Sequence, residues 1–237
     1  MIKVLIATPM YNSQCTAGYT ASMIQLFQRC HQYPEIQLDF MYGINEALIT
    51  YARNICANIF LKSQATHLLF IDADIQFNAE QILKMIGTGR EFVCGVYPKK
   101  KIDWDKVRHF AMEGHLASNL QGMANEYLFE SSHSMDPDKD GLVEIDRCGT
   151  GMMMIGRNVF ETLMDKVDDF NLVSPVQSNV AFDQDNRYKE FFYTSKNERN
   201  IFLNEDFTFC NLWKSVGGKI YGAPWVKLHH IGNHTFG

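Results

Sequence analysis

His67-Leu68-Leu69-Phe70-Ile71-Asp72-Ala73-Asp74 is the stretch on which the reading of the fold turns. An apolar run of strand length, broken by acids and followed by a helical pattern from Ala79 to Ile86, reads as a buried strand leading into a helix. Working outward, Phe92 to Val96 reads as the next strand. Upstream, Lys3 to Ala7 is a strand, Ala17 to Arg29 a helix and Ile36 to Tyr42 a second strand. Between Glu46 and Leu61 the residues Ala47, Leu48, Tyr51, Ile55, Ile59 and Phe60 recur at near-helical intervals. This alternation predicts an α/β fold with a mixed, mostly parallel central sheet flanked by helices.

Beyond Pro98 the pattern loosens, and residues 98–147 read as insertion and loop with a few antiparallel strands. Ser131 to Gly141 is polar and carries Pro137. Order returns with a strand at Gly151 to Ile155 and a helix at Asn158 to Lys166. Asp168 to Lys189 is a long polar loop, predicted to be a surface lid. A helix from Asn204 to Val216 stops at Gly217-Gly218, and Lys219 to Tyr221 and Trp225 to His230 are extended. No internal repeat or low-complexity linker divides the chain, so 1–237 reads as a single domain with halves 1–97 and 98–237.

The chain has 237 residues, 46% of them hydrophobic, which is enough to bury a core. Its net charge of −5 repels polyanions, so nucleic acid is not an expected partner. No 18-residue apolar run and no signal-peptide core are found, so stable membrane insertion is not expected and the protein is expected to be cytoplasmic. The six cysteines, Cys15, Cys30, Cys56, Cys94, Cys148 and Cys210, are scattered without the spacing of a disulfide or zinc framework. The sequon Asn233-His234-Thr235 reads as an accident of composition.

Asp72 and Asp74 carry the strongest chemical signal. In an extended segment, side chains two apart share a face, so both carboxylates are expected to look at one point beyond the sheet's carboxyl edge, where open α/β sheets bind ligands. Hard oxygen donors there suit Mn²⁺ or Mg²⁺ with positions left for phosphate oxygens. His229-His230 offers an imidazole to complete the set, and only one of two strand neighbours can face the site. Glu205 and Asp206 follow the N-cap candidate Asn204. One of them is the candidate general base, and the helix dipole is expected to lower its pKa.

Other pieces are weaker. Gly149-Thr150-Gly151 would allow a substrate close to the backbone, and the Met152 to Met154 run reads as core. Arg53, a cation in an apolar helical stripe, suits a phosphate or acidic partner or else a solvated helix face. Of Lys99 to Lys101, one could meet a diphosphate, although a solvated turn is the plainer reading.

In order, Ala7-Thr8-Pro9, Ala52-Arg53-Asn54, Leu69 to Asp74, Gly95 to Lys100, Gly149 to Gly151, Asn204 to Phe207 and His230-Ile231-Gly232 resemble the GT-A type of nucleotide-sugar-dependent glycosyltransferase. The resemblance is to the family-2-like enzymes of bacteria and of large viruses and phages. It implies a GT-A (Rossmann-like) fold, with residues 1–97 binding nucleotide and 98–237 binding acceptor. Thr8, Pro9 and Tyr11 would hold the base, with Arg53 near the base or phosphates. Asp72 would reach the ribose or metal, while Asp74 and His230 would bind Mn²⁺ (or Mg²⁺), with His229 as second choice. Lys99, Gly149, Thr150 and Gly151 would line the sugar and acceptor side. Asp206 would be the base of an inverting transfer, with Glu205 as fallback.

The implied reaction moves one sugar from a nucleoside-diphosphate donor, UDP- or GDP-linked, to a hydroxyl of a glycan or glycoconjugate. No QxxRW-type motif of a processive synthase is seen. Two other readings share the pattern. A nucleotidyltransferase of the same superfold would need a Gly-rich, basic loop after the first strand, which Thr8 to Gly18 lacks. A non-catalytic nucleotide- or glycan-binding module would keep the pocket without turnover.

Overall fold

Alternate residues of the first and third strands face opposite helical layers, and this two-sided burial explains their unbroken apolar character. Leu5, Ala7, Leu68 and Phe70 join one core cluster, whereas Val4, Ile6, Leu69 and Ile71 join the other. The computed structural model describes residues 1–44, 46–171, 177–178 and 187–232.

The first part of the chain runs β1 (Ile2–Met10), α1 (Ala17–Cys30), β2 (Ile36–Ile44), α2 (Ile49–Lys62), β3 (His67–Ile71), β4 (Ile75–Phe77), α3 (Ala79–Gly87) and β5 (Phe92–Gly95). It continues with α4 (Trp104–Met112), α5 (Ala117–Met123), β6 (Phe129–Glu130), β7 (Val143–Ile145), β8 (Arg147–Cys148), β9 (Met152–Gly156) and α6 (Arg157–Leu163). Short strands β10 (Asp169–Asn171), β11 (Gln177–Ser178), β12 (Arg187–Lys189), β13 (Ser195–Lys196) and β14 (Phe202–Leu203) precede α7 (Glu205–Ser215), β15 (Ile220–Ala223) and β16 (Leu228–His230).

The central sheet has eight strands in the order β11-β2-β1-β3-β9-β5-β15-β7. β2, β1, β3, β5 and β15 point one way, and β9, β7 and β11 oppose them. The expected class, mixed and mostly parallel with helices on both faces, is the one observed. Residues from both halves of the chain build this one sheet. α2, α6 and α7 cover one face, and α1 and α3 cover the other. The Met152 to Met154 run is core, each residue fully buried.

Two features differ from the sequence reading. Residues 98–147 contain the helices α4 and α5 as well as short antiparallel strands, and neither helix has a buried residue. β4 was not expected, and it pairs antiparallel with β16, which places His230 opposite Ile75. α7 stops where Gly217 adopts a left-handed φ of 85°, as the glycine pair predicts. Most of the expected lid at Asp168 to Lys189, and the sequon at residues 233–235, lie outside the described residues. At the ends of that loop β10 pairs with β12. Among the described residues no helix is long and apolar enough to cross a membrane.

Candidate active site

The carboxyl ends of β1, β3 and β5 meet around the Asp72-Ala73-Asp74 turn. Asp72 N–H donates to the Gly151 carbonyl at 3.0 Å, and Ile75 N–H donates back to the Asp72 carbonyl at 3.0 Å. The backbone therefore turns where an extended course was expected, and the two carboxylates diverge. Asp72 and Asp74 do not share a face, because the alternation rule holds only while the chain stays extended.

Asp72 turns toward Arg53. Arg53, only 3% exposed, donates from Nη2 to Asp72 Oδ1 at 3.0 Å and from Nε to Glu205 Oε1 at 3.4 Å. Its guanidinium lies 5.2 Å from the Phe70 ring centroid, and its Nη1 is buried without a hydrogen-bond partner. Burial opposes the charge, but Asp72 and Glu205 more than offset it and raise the guanidinium pKa. A solvated helix face does not describe Arg53, which is 3% exposed. It is a strut that ties the acidic turn to the start of α7. Asn54 next to it fixes the chain at Phe192 by a reciprocal pair of bonds of 2.8 Å each.

Asp74 turns to Lys100 and His230. Lys100 Nζ donates to Asp74 Oδ2, while Asp74 Oδ1 is buried without a hydrogen bond among the described residues and lies 3.5 Å from His230 Nε2. His230 Nδ1 faces the Pro98 carbonyl at 2.9 Å, and a carbonyl only accepts, so Nδ1 carries the proton. In the neutral ring, Nε2 then presents a lone pair to a carboxylate oxygen. Two facing acceptors are satisfied by a proton or a cation between them. Partial burial works against the ionised form of Asp74, yet a proton on His230 Nε2, donated to it, and the Lys100 ammonium hold its carboxyl below the usual range. His229, the second choice, is exposed on the other face of β16.

This pair fits a divalent cation with two protein donors, one oxygen and one imidazole, leaving other positions for water and phosphate. The expected third ligand is not at hand. Asp72 is engaged by Arg53, and among the described residues no group of three His, Cys, Asp or Glu side chains is placed to hold a metal.

The candidate base sits at the start of α7. Asp206 is 7% exposed, and its carboxyl is pushed up to about 6, first by burial and then by neighbouring Glu205. The expected lowering by the helix dipole is overturned, because burial of the charged form outweighs it. Asp206 Oδ1 accepts from Phe207 N–H at 2.7 Å. Asn204 occupies the N-cap position without a side-chain cap bond. Glu205 is held by Arg53, whereas no side-chain cation pairs with Asp206 among the described residues.

Other expected residues fall differently. Thr8 is fully buried and its Oγ1 lies 2.7 Å from Tyr19 Oη, so its side chain is engaged inside the protein. Tyr11 is 63% exposed, and Asn12 and Ser13 beyond it have left-handed φ of 53° and 55°, a strained turn at the sheet's carboxyl edge. Pro9 remains within β1, paired in register with Gly43. Lys99 pairs with Glu126 at 3.5 Å, and Lys100 is the lysine that reaches the turn. Gly149 and Gly151 make room for Tyr97 instead of a substrate. A Cβ on them would come within 2.1 Å of Tyr97 Oη and 2.6 Å of Tyr97 Cζ. Thr150 between them is buried.

Tyr97 is the residue that sequence reasoning missed, whereas Lys100 belongs to the lysine triplet it singled out. Tyr97 Oη accepts from Gly151 N–H at 3.1 Å, and its ring meets His230 edge-on at 5.2 Å between centroids. Burial raises its pKa strongly, with Asp72 adding to the effect. Its place just past β5, at the same sheet edge as Asp72, was the available signal.

Solved structures show where this architecture recurs. A197 from STIV is similar over 98% of this chain and 87% of its own, with a TM-score of 0.52 at 14% identity. The likeness is one of fold. GalNAc-T7, solved with UDP, GalNAc and Mn²⁺, aligns over 98% of this chain and 44% of its own at a TM-score of 0.46 and 10% identity. No protein-family model matches the chain, and no curated protein matches it.

Proposed function

We propose that the chain is a glycosyltransferase that moves one sugar from a nucleoside-diphosphate sugar to an acceptor hydroxyl. The carrying observation is convergence. The acidic turn after β3 has Asp74 beside the imidazole of His230 and, through Asp72 and Arg53, is tied to Glu205 at the start of α7, next to the buried Asp206. In this reading Asp74 and His230 hold Mn²⁺ or Mg²⁺, whose chemistry is to neutralise charge on the leaving diphosphate.

The chain's own residues supply the rest. Asp206, with a carboxyl near 6, is ionised at neutral pH yet basic enough to accept the acceptor's proton, and Glu205 is held away from that role by Arg53. Arg53 keeps the turn and α7 at fixed separation. With Asp206 as the base, direct, inverting displacement is the reading that follows. The exposed turn at Tyr11 is the surface offered to the nucleotide base.

The test is a thermal-shift screen of UDP-, GDP-, dTDP- and CMP-sugars with and without Mn²⁺, with mass spectrometry of products over an acceptor panel. One nucleotide sugar that raises the melting temperature only with metal, and glycosylated product that disappears in Asp206→Asn, is the expected outcome. Nucleotide binding without any product would replace the proposal with a binding module. Release of pyrophosphate from a nucleoside triphosphate and a sugar phosphate would make it a nucleotidyltransferase.

A further inference from the structure

Lys100 is one of three consecutive lysines, and its surroundings set it apart. Lys99 and Lys101 both reach Glu126, at 3.5 Å and 3.4 Å. Lys100 instead crosses to Asp74, and its stem lies over the backbone of Gly232, where a Cβ would sit 2.9 Å from Lys100 Cδ. Ile231 N–H beside it donates to the Asp74 carbonyl at 2.8 Å. The ammonium and the segment His230 to Gly232 thus close on Asp74 from two sides. His230 contributes an Nε2 that faces the unpartnered Asp74 Oδ1.

We propose that Lys100 is the resident counter-cation of this pocket, so that a divalent ion enters only by displacing its ammonium from Asp74. The inference rests on the reading of Asp74 and His230 as metal ligands. Lys100 supplies the positive charge beside Asp74 on a flexible stem, and a pair this exposed is weak enough to exchange. Divalent affinity is therefore weakened by the lysine and not created by it. Gly232 is specified because any side chain there would push the stem aside.

The experiment is titration of the full chain with Mn²⁺ alone, without nucleotide, following free Mn²⁺ by electron paramagnetic resonance. Lys100→Gln is expected to bind Mn²⁺ roughly three- to fivefold more tightly than the natural chain, the equivalent of one exposed ion pair. Gly232→Ala, which keeps the lysine but displaces its stem, is expected to tighten binding in the same direction. Lys101→Gln, which removes the same charge nearby, is expected to leave the affinity unchanged.

Equal or weaker binding in Lys100→Gln overturns the inference, as does equal tightening in Lys101→Gln, which would mark a general field effect. Asp74→Asn separates the two levels. If it keeps full Mn²⁺ affinity, the metal reading of Asp74 itself fails. If it loses Mn²⁺ while Lys100→Gln is no tighter, only the role of Lys100 fails.

Discussion

The two carboxylates of one turn live in different worlds. Asp72 faces a guanidinium that is 3% exposed, whereas Asp74 faces an ammonium whose side chain is 40% exposed. The Asp72 pair is an interior joint. The guanidinium has left water, although Asp72 itself keeps a side chain 28% exposed, and removing the carboxylates strands a buried cation. The Asp74 pair is a half-exposed contact whose ammonium reaches solvent, which salt screens more readily than the buried guanidinium. A single turn thus provides both the fixed frame of the site and its adjustable part.

The largest test of this contrast is Arg53→Met. It leaves Asp72 and Glu205 without their cation and is expected to destabilise the fold by about 3–5 kcal/mol, measured by urea unfolding. Lys100→Gln sits at the other end, with an expected loss of no more than about 1 kcal/mol by the same measurement. If the two losses are equal, the contrast fails.

Between them comes Asp206. Its folded carboxyl titrates near 6 against an ordinary 3.8, so its protonated form stabilises the fold fully below pH 3.8, and that contribution is lost as pH rises through about 6. The loss is at most about 3 kcal/mol. Asp206→Asn should remove that part of the pH dependence and melt higher at pH 7. In the same variant sugar transfer should fall by about 10²–10⁴-fold. In the natural protein the acid limb of kcat/KM should lie near pH 6. A limb near 4 would show that burial does not govern this group.

Gly149→Ala gives a smaller effect. The added methyl meets Tyr97 and Leu128 at 2.1 Å and 2.4 Å, and a cost of about 1–3 kcal/mol in thermal unfolding is expected. An unchanged melting temperature would show that Tyr97 is loosely held.

The sequence carried most of the frame. β3 spans His67–Ile71, the residues predicted, because strands covered on both faces must be apolar along their whole length. α4 and α5 were illegible for the opposite reason. A helix announces itself by a buried stripe, and these two bury none of their residues. In the site, residue types were readable and orientations were not. The i, i+2 rule put Asp72 and Asp74 on one face, but a turn at Ala73-Asp74 gives them different partners. The dipole argument for Asp206 failed because the depth of a helix start is set by the tertiary fold. Arg53 looked like a surface or phosphate cation because its two acidic partners come from distant stretches of the chain. The glycines around Thr150 correctly signalled close approach, but the group that approaches is the chain's own Tyr97.

The ribbon formed by β4 and β16 has a consequence for the order in which the protein becomes competent. β4 lies in the first half of the sequence, and β16 follows every other described strand. A nascent chain can lay down β1, β2 and β3 early, since their contacts are comparatively local. Asp74 meets His230 only after residues 75–230 have followed it out of the ribosome. A chain cut before Leu228 keeps the acidic turn without its imidazole.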